Sequence, residues 1–230
     1  DFLNHGSFGA VPREVLDAQT TWREAIERDP IEMMGRRIFE LLEPSRWAAG
    51  ELINCHPDSV GFSLNATSAI NAVVRSLSFK PGDRIVAPNH VYNGVRQTLR
   101  WVAARDGAEY VEIPVELPVE NGDQLGDRIL DSIPQRTRLL VIDEISSPTA
   151  IRFPIERIIR ECSSRGIQVV VDGAHAPGMV EVDVTRLESL GMLAWTGNLH
   201  KWAYVPKSCA ALFVHEESRD NIHPAIISHF

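Results

Sequence analysis

Short continuous apolar runs, rather than strict alternations, set the pattern of this chain, and they recur between longer stretches with helical spacing. A strand covered on both sides has no polar face to show, so such runs fit strands inside a layered fold. The candidates are Arg84–Ala87, Glu109–Ile113, Arg138–Asp143, Ile167–Asp172, Met192–Trp195 and Ala210–Val214. Helices are expected over roughly 12–29, with Pro12 at an early position, 36–53 with an interruption near Pro44, 66–78, 91–106, 124–133 and 154–165. Alternation of the two kinds of element implies an α/β layered sheet. No low-complexity tract or internal repeat interrupts it, no linker divides it before Pro206, and Glu216–Phe230 reads as the start of something further.

Composition narrows the functional classes. With 230 residues, 44% of them hydrophobic and 23% charged, the chain can bury one large core or somewhat more. A net charge of -8 argues against a nucleic-acid or membrane-surface partner, both of which call for a basic patch. An anionic small molecule must then be caught locally, by a few placed donors. Cys55, Cys162 and Cys209 form no CxxC pair and leave an odd count, which suits a reducing compartment and an intracellular, cytoplasmic protein. No run approaches the ~18 apolar residues of a membrane span, and no basic-then-apolar signal segment is present. The chain opens at Asp1 without a methionine, from which a trimmed end is expected.

Against this background the pairing of Val169–His175 with Thr196–Lys201 carries the most chemistry. The first segment reads as a buried strand ending on Asp172, and the second as a short strand ending on a lysine behind a histidine. That is the layout of a pyridoxal phosphate site, whose cofactor needs a lysine amine for its aldehyde and an acid to keep its pyridine nitrogen protonated. Strand ends of an open α/β sheet can hold both around one ligand. Asn65–Asn71 adds small cap residues at an expected helix start, where free N–H groups attract a phosphate. Each residue also has an ordinary reading. Asp172 could cap a turn, Lys201 could be solvated, the Asn65 turn could be a plain N-cap, and His175 and His200 could be satisfied polar residues. The apolar neighbours Trp195, Leu199 and Trp202 would desolvate Lys201 and free its amine for attack on a carbonyl. His90 follows the Ile85–Val86 strand, where a ring could stack on a cofactor, and Tyr92 competes for that place. No GxxxxGK[ST], strand-linked GxGxxG, HExxH or GxSxG occurs, which places metal, nucleotide and serine-hydrolase readings last.

Five motifs in order, Phe2–Gly9, the Asn65-Ala66-Thr67 turn, Asp143–Ala150, Asp172-Gly-Ala-His and Asn198-Leu-His-Lys, resemble the class-V aminotransferase family of fold-type-I pyridoxal phosphate enzymes over nearly the whole chain. The nearest branch is isopenicillin N epimerase-like, with cysteine desulfurases and lyases as cousins. The resemblance implies a three-layer large domain with a mostly parallel sheet over residues 36–230, an N-terminal segment over 1–35, and a homodimer. It also implies a smaller C-terminal domain, apparently absent from this chain, that would supply the arginine for the substrate carboxylate. A fragment or a shortened relative is therefore expected.

By the same resemblance Lys201 is the Schiff-base lysine and the base that moves the Cα proton, and Asp172 is the partner of the pyridine nitrogen. His175 is a donor to the phenolic oxygen, with Ser146 near a position that assists there. His90 is the stacked aromatic, with Tyr92 as its alternative. Ala66, Thr67, Asn198 and His200 contact the phosphate, although desulfurases often carry serine where Asn198 stands. Cys209, inside an apolar strand, reads as a core residue rather than a persulfide carrier. The implied activity is epimerisation, or lyase or desulfurase chemistry, at Cα or Cβ of an amino acid. A class-V aminotransferase and a non-catalytic large-domain remnant are the alternatives.

Overall fold

Burial with a period of two divides the strand residues between two helical layers, and that division decides which side chains reach the site. The computed structural model describes residues 1–228. Its strands are β1 (Gly61–Ser63), β2 (Arg84–Pro88), β3 (Glu109–Ile113), β4 (Thr137–Asp143), β5 (Gln168–Asp172), β6 (Ala194–Asn198) and β7 (Ala210–Val214). They form one seven-stranded sheet in the order β1-β7-β6-β5-β4-β2-β3. Parallel ladders join β3, β2, β4, β5 and β6, and β7 runs antiparallel to both β6 and β1. This is the α/β, mostly parallel three-layer architecture that the sequence implies. Residues 229 and 230 of the expected large domain lie outside the described residues.

Leu139 and Val141 of β4, Val170 of β5 and Ala194 of β6 pack with Ile70 and Val74 of α3 (Ala66–Ser76) and Val95 and Leu99 of α4 (Asn93–Asp106). Leu140, Ile142, Val169, Val171 and Trp195 face the other way. They meet Ile129 of α5 (Gly122–Ser132), Ile158 and Cys162 of α6 (Ile155–Ser164) and Leu187 of α7 (Val184–Ser189). Full burial of one such side chain contributes about 1.5–3 kcal/mol, so a one-residue slip that exchanged the faces would cost several contacts at once. The same alternation puts Asp143, Asp172, Thr196 and Asn198 on the α3/α4 side. Helix ends are fixed locally. Asn65 and Asn121 cap α3 and α5 by accepting from the N–H groups of Ser68 and Gln124, and Gly107, at φ +70°, closes α4 in the left-handed conformation that favours glycine.

Several elements differ from the pattern-based expectation. Pro44 lies inside a continuous α2 (Ile38–Leu52) rather than interrupting it. Pro44 and Glu40 are both exposed, so the carbonyl that the proline leaves without its helical partner meets water. A π-helical turn over Ile31–Arg36 separates α2 from α1 (Arg13–Arg28). β6 starts two residues later than expected and runs on through Thr196, Gly197 and Asn198. Gly197 and Asn198 have weak strand preference, but both pair with β7, and Thr196 is held between β5 and β7. β1 and α7 are too short to leave a periodic signal. No helix among the described residues is long and apolar enough to cross a membrane. Trp22, Ile31, Phe39 and Trp47, from α1 through α2, are each more than half exposed.

Candidate active site

The carboxyl ends of β4, β5 and β6, the start of α3 and the N-terminal loop enclose a cavity of about 590 Å³. An open α/β sheet binds ligands at this end because successive strand ends and helix N-termini converge there. Asp172, the last residue of β5, is 4% exposed, and its Oδ1 accepts from the Ala174 N–H at 3.0 Å. Lys201 follows β6 in a turn and also lines the cavity. Its Nζ lies 3.0 Å from His175 Nε2. The N-terminal loop reaches this turn through Gly9, where φ is +72° and a Cβ would collide with the His200 carbonyl. His5 holds the loop, taking the Ala10 N–H on Nδ1 and packing edge-on against Trp202 and Tyr204.

At α3, the Ala66 N–H is bound by Asn198 Oδ1 at 2.9 Å, the Ser68 N–H by Asn65 Oδ1 at 2.8 Å and the Ala69 N–H by the Asn65 carbonyl. Thr67, between them, lines the cavity with its N–H outside these bonds. A helix start with a free donor and a positive dipole end fits a phosphate. His200 fixes its ring through Nδ1, 2.8 Å from the Cys209 carbonyl, and lines the same cavity. The donor set therefore matches a ligand with a phosphate at one end and a protonated ring nitrogen at the other. Lys201 stands ready to reach a carbonyl carbon between them.

Electrostatics leaves the site short of positive charge. Burial lowers the proton affinity of Lys201, against the pull of Asp172 and Asp143. Burial and the Lys201 ammonium hold His175 down at about 4, so its imidazole is neutral near pH 7 and its Nε2 can accept from Lys201. Burial raises Asp172 to about 6, against the Ala174 N–H and Lys201. These shifts have opposite consequences for stability. Below an ordinary histidine value of about 6.5 the unfolded chain takes up a proton that folded His175 refuses, so this contribution returns as pH rises towards 6.5. The Asp172 contribution is present at low pH and is lost as pH rises through about 6. His175→Gln should therefore gain stability over the wild type on going from about pH 7.5 to 4.5. The expected gain is about 1–2 kcal/mol, discounted because His175 is partly solvated. Urea unfolding of both proteins at the two pH values reads this difference directly.

Of the residues singled out in the sequence, Ala66, Thr67, Tyr92, Asp172, His175, Asn198, His200 and Lys201 line the cavity. His90 is not among the residues that line it. Its Nδ1 lies 3.0 Å from Thr149 Oγ1 and its Nε2 2.9 Å from the Val115 carbonyl, so both nitrogens are engaged away from the site. Tyr92, at the start of α4 and 46% exposed, takes that wall instead. The Ser146 hydroxyl is engaged with Thr149 Oγ1 and the Ile151 N–H, and its neighbour Ser147 lines the cavity. Asn198 uses its oxygen to hold α3 in place. Sequence reasoning gave no role to Asp143, Lys207 or the Gly6–Phe8 wall, all of which line the cavity. For Asp143 a signal existed, since it continues the period-two face of Leu139 and Val141.

Beneath the site Trp195 donates through Nε1 to the buried Glu144 carboxylate at 3.0 Å. A Cβ at Gly173 would come within 2.6 Å of the Trp195 ring, so only glycine lets β5 turn there above the indole.

An L-cysteine desulfhydrase of Arabidopsis thaliana is 30% identical over 243 residues, covering 99% of this chain and 53% of the relative. Isopenicillin N epimerase of Streptomyces clavuligerus is 29% identical over 226 residues, covering 98% and 56%. The chain thus spans about half the length of the relatives it matches. Among solved structures, a complex of the cystine C-S lyase C-DES with its reaction product cysteine persulfide superposes with a TM-score of 0.87 at 24% identity, covering 97% of this chain and 59% of the other. The family model for aminotransferase class-V matches residues 9–228, and the chain belongs to that family.

Proposed function

We propose that this chain is the cofactor-binding part of a pyridoxal 5'-phosphate-dependent enzyme that acts on an amino acid at Cα or Cβ, by epimerisation or by cysteine-lyase chemistry. The observation that carries this reading is that the Lys201 amine, the Asp172 carboxylate and the start of α3 line one cavity. Relatives named L-cysteine desulfhydrase and isopenicillin N epimerase support the lyase and epimerase branches over transamination. Residues 36–230 would form the cofactor-binding unit, with the segment 1–35 adding the Gly6–Phe8 wall. A homodimer is supported by the exposed apolar side chains from α1 through α2, more than an isolated domain usually leaves open. A cytoplasmic setting is supported by three free thiols.

When bound, the cofactor supplies an electron sink for the charge that develops at Cα. The residues do the rest. Thr67 N–H, the α3 dipole and the free edge of His200 would hold the phosphate, and Tyr92 would cover the ring face. Asp172 would keep the ring nitrogen protonated. Lys201 would hold the cofactor covalently and, as a free amine within the cavity, would take the Cα proton and return it. Its lowered proton affinity favours the neutral amine that this step would need. Neutral His175 accepts from the Lys201 nitrogen and aims it.

The full-length protein in heavy water should put deuterium on the Cα of recovered amino acid or, with cysteine, release sulfide. Formation of keto acid matched by amination of the cofactor, with neither exchange nor elimination, would place it with the transaminases. Failure to bind the cofactor at all would favour a non-catalytic remnant.

A further inference from the structure

β4 and β5 end side by side on two aspartates. Asp143 is in register with Asp172 across the parallel ladder, and both continue the strand faces directed to α3 and α4. Neighbouring strands lie about 4.8 Å apart, so two ionised carboxylates here would repel at short range with little water between them. Each residue is 4% exposed, and both line the cavity. Asp143 Oδ1 is fully buried and has no hydrogen-bond partner among the described residues, which is costly for an ionised oxygen. The groups facing the pair are few. Lys201 acts on both, the Ala174 N–H serves Asp172, and the N–H groups of Ser147 and Tyr92 act on Asp143. His175 faces Lys201 and is neutral near pH 7. One lysine amine cannot balance two carboxylates, least of all if it carries a cofactor.

We propose that Asp143 and Asp172 share a single proton, held on Asp143. Asp143 then acts as a positioning residue: a neutral acid that hydrogen-bonds Asp172 and anchors the loops bearing Tyr92 and Ser147, while Asp172 keeps the one negative charge. Two like charges at this spacing cannot both ionise in a dry site. Burial and the neighbouring Asp172 both push Asp143 well above the usual carboxylate range. The orphaned Oδ1 becomes the atom that carries the proton and finds its acceptor in Asp172. Tyr92 and Ser147, both on the cavity wall, are thereby tied to the carboxylate that would serve the ring nitrogen. The proposal rests on the reading of Asp172 given above, but the shared proton exists without cofactor.

The test is infrared spectroscopy of the full-length protein carrying isotope-labelled aspartate, which separates its signal from that of buried Glu144. Cofactor-free protein near neutral pH should show one protonated aspartate carboxyl, and Asp143→Asn should remove it. Asn mimics the neutral acid, so Asp143→Asn should load the cofactor within about twofold of wild type and leave the pH titration of its visible band unmoved. Asp143→Ala should weaken loading by about tenfold and shift that titration. Absence of a protonated aspartate would overturn the proposal, as would Asp143→Ala behaving as wild type or Asp143→Asn failing as badly as the alanine variant. If the protonated carboxyl maps to Asp143 but Lys201 carries no cofactor, the functional reading fails and the shared proton stands. If Lys201 carries cofactor and no protonated aspartate is seen, the shared proton alone fails.

Discussion

Lys201→Ala in the full-length protein is expected to lose turnover by about 10³-fold or more, because under the proposed function one substitution removes both the covalent attachment and the base at Cα. Cofactor should still bind, since the Thr67 N–H and the α3 N-terminus are untouched, but dialysis should now strip it. His175 cannot take over the proton transfer. Burial holds it at about 4, so it is too weak a base near neutral pH, and Lys201 is its hydrogen-bond partner rather than an open path to substrate. Steady-state rates with cysteine, together with cofactor content before and after dialysis, separate lost chemistry from lost binding. Near-normal turnover in this variant would move the chemistry to another residue, with Lys207 the next lysine on the cavity.

Asp172→Asn is expected to have the second largest effect, about 10²-fold in rate, with the covalent link preserved. Without the carboxylate the ring nitrogen sheds its proton, and a neutral ring accepts Cα charge poorly. Two accompanying changes identify the cause. Asp172 raises the proton affinity of Lys201, so its removal should let the amine titrate at lower pH. The folded carboxylate also carries a burial cost once it ionises above about 6. Cofactor-free Asp172→Asn should therefore gain about 2 kcal/mol over wild type at about pH 8, a gain that fades below the ordinary carboxylate range. A variant that is more stable yet slower is the mark of a charge kept for function at the expense of the fold.

β2, β3, β4, β5 and β7 lie where the sequence pattern places them, and β4 and β5 were the most legible as apolar runs ending on Asp143 and Asp172. β6 was only partly legible. Its Thr196-Gly197-Asn198 half becomes a strand through pairing with β5 and β7, which no local preference announces. Loop residues carried the largest uncertainty at the cavity. After a strand ends, one or two positions decide between wall and exterior, so Tyr92 lines the cavity where His90 does not, and Ser147 does where Ser146 does not. Strand residues obey a stricter rule. Asp143 could have been placed beside Asp172 by counting in twos from Leu139, had the strand pairing been known. The pairing is tertiary information, as is the contact of Gly9 with the lysine turn.

The measurement that tests the cofactor assignment most directly is borohydride reduction of the cofactor-loaded full-length protein, followed by peptide mass mapping. Lys201 and Lys207 line the same cavity, which makes the second an internal control. Reduced cofactor mass on the peptide bearing Lys201 and on no other lysine is the predicted result. Its appearance on Lys207, or on no lysine at all in protein that binds the cofactor, would contradict the site built here from Lys201, Asp172 and the α3 turn.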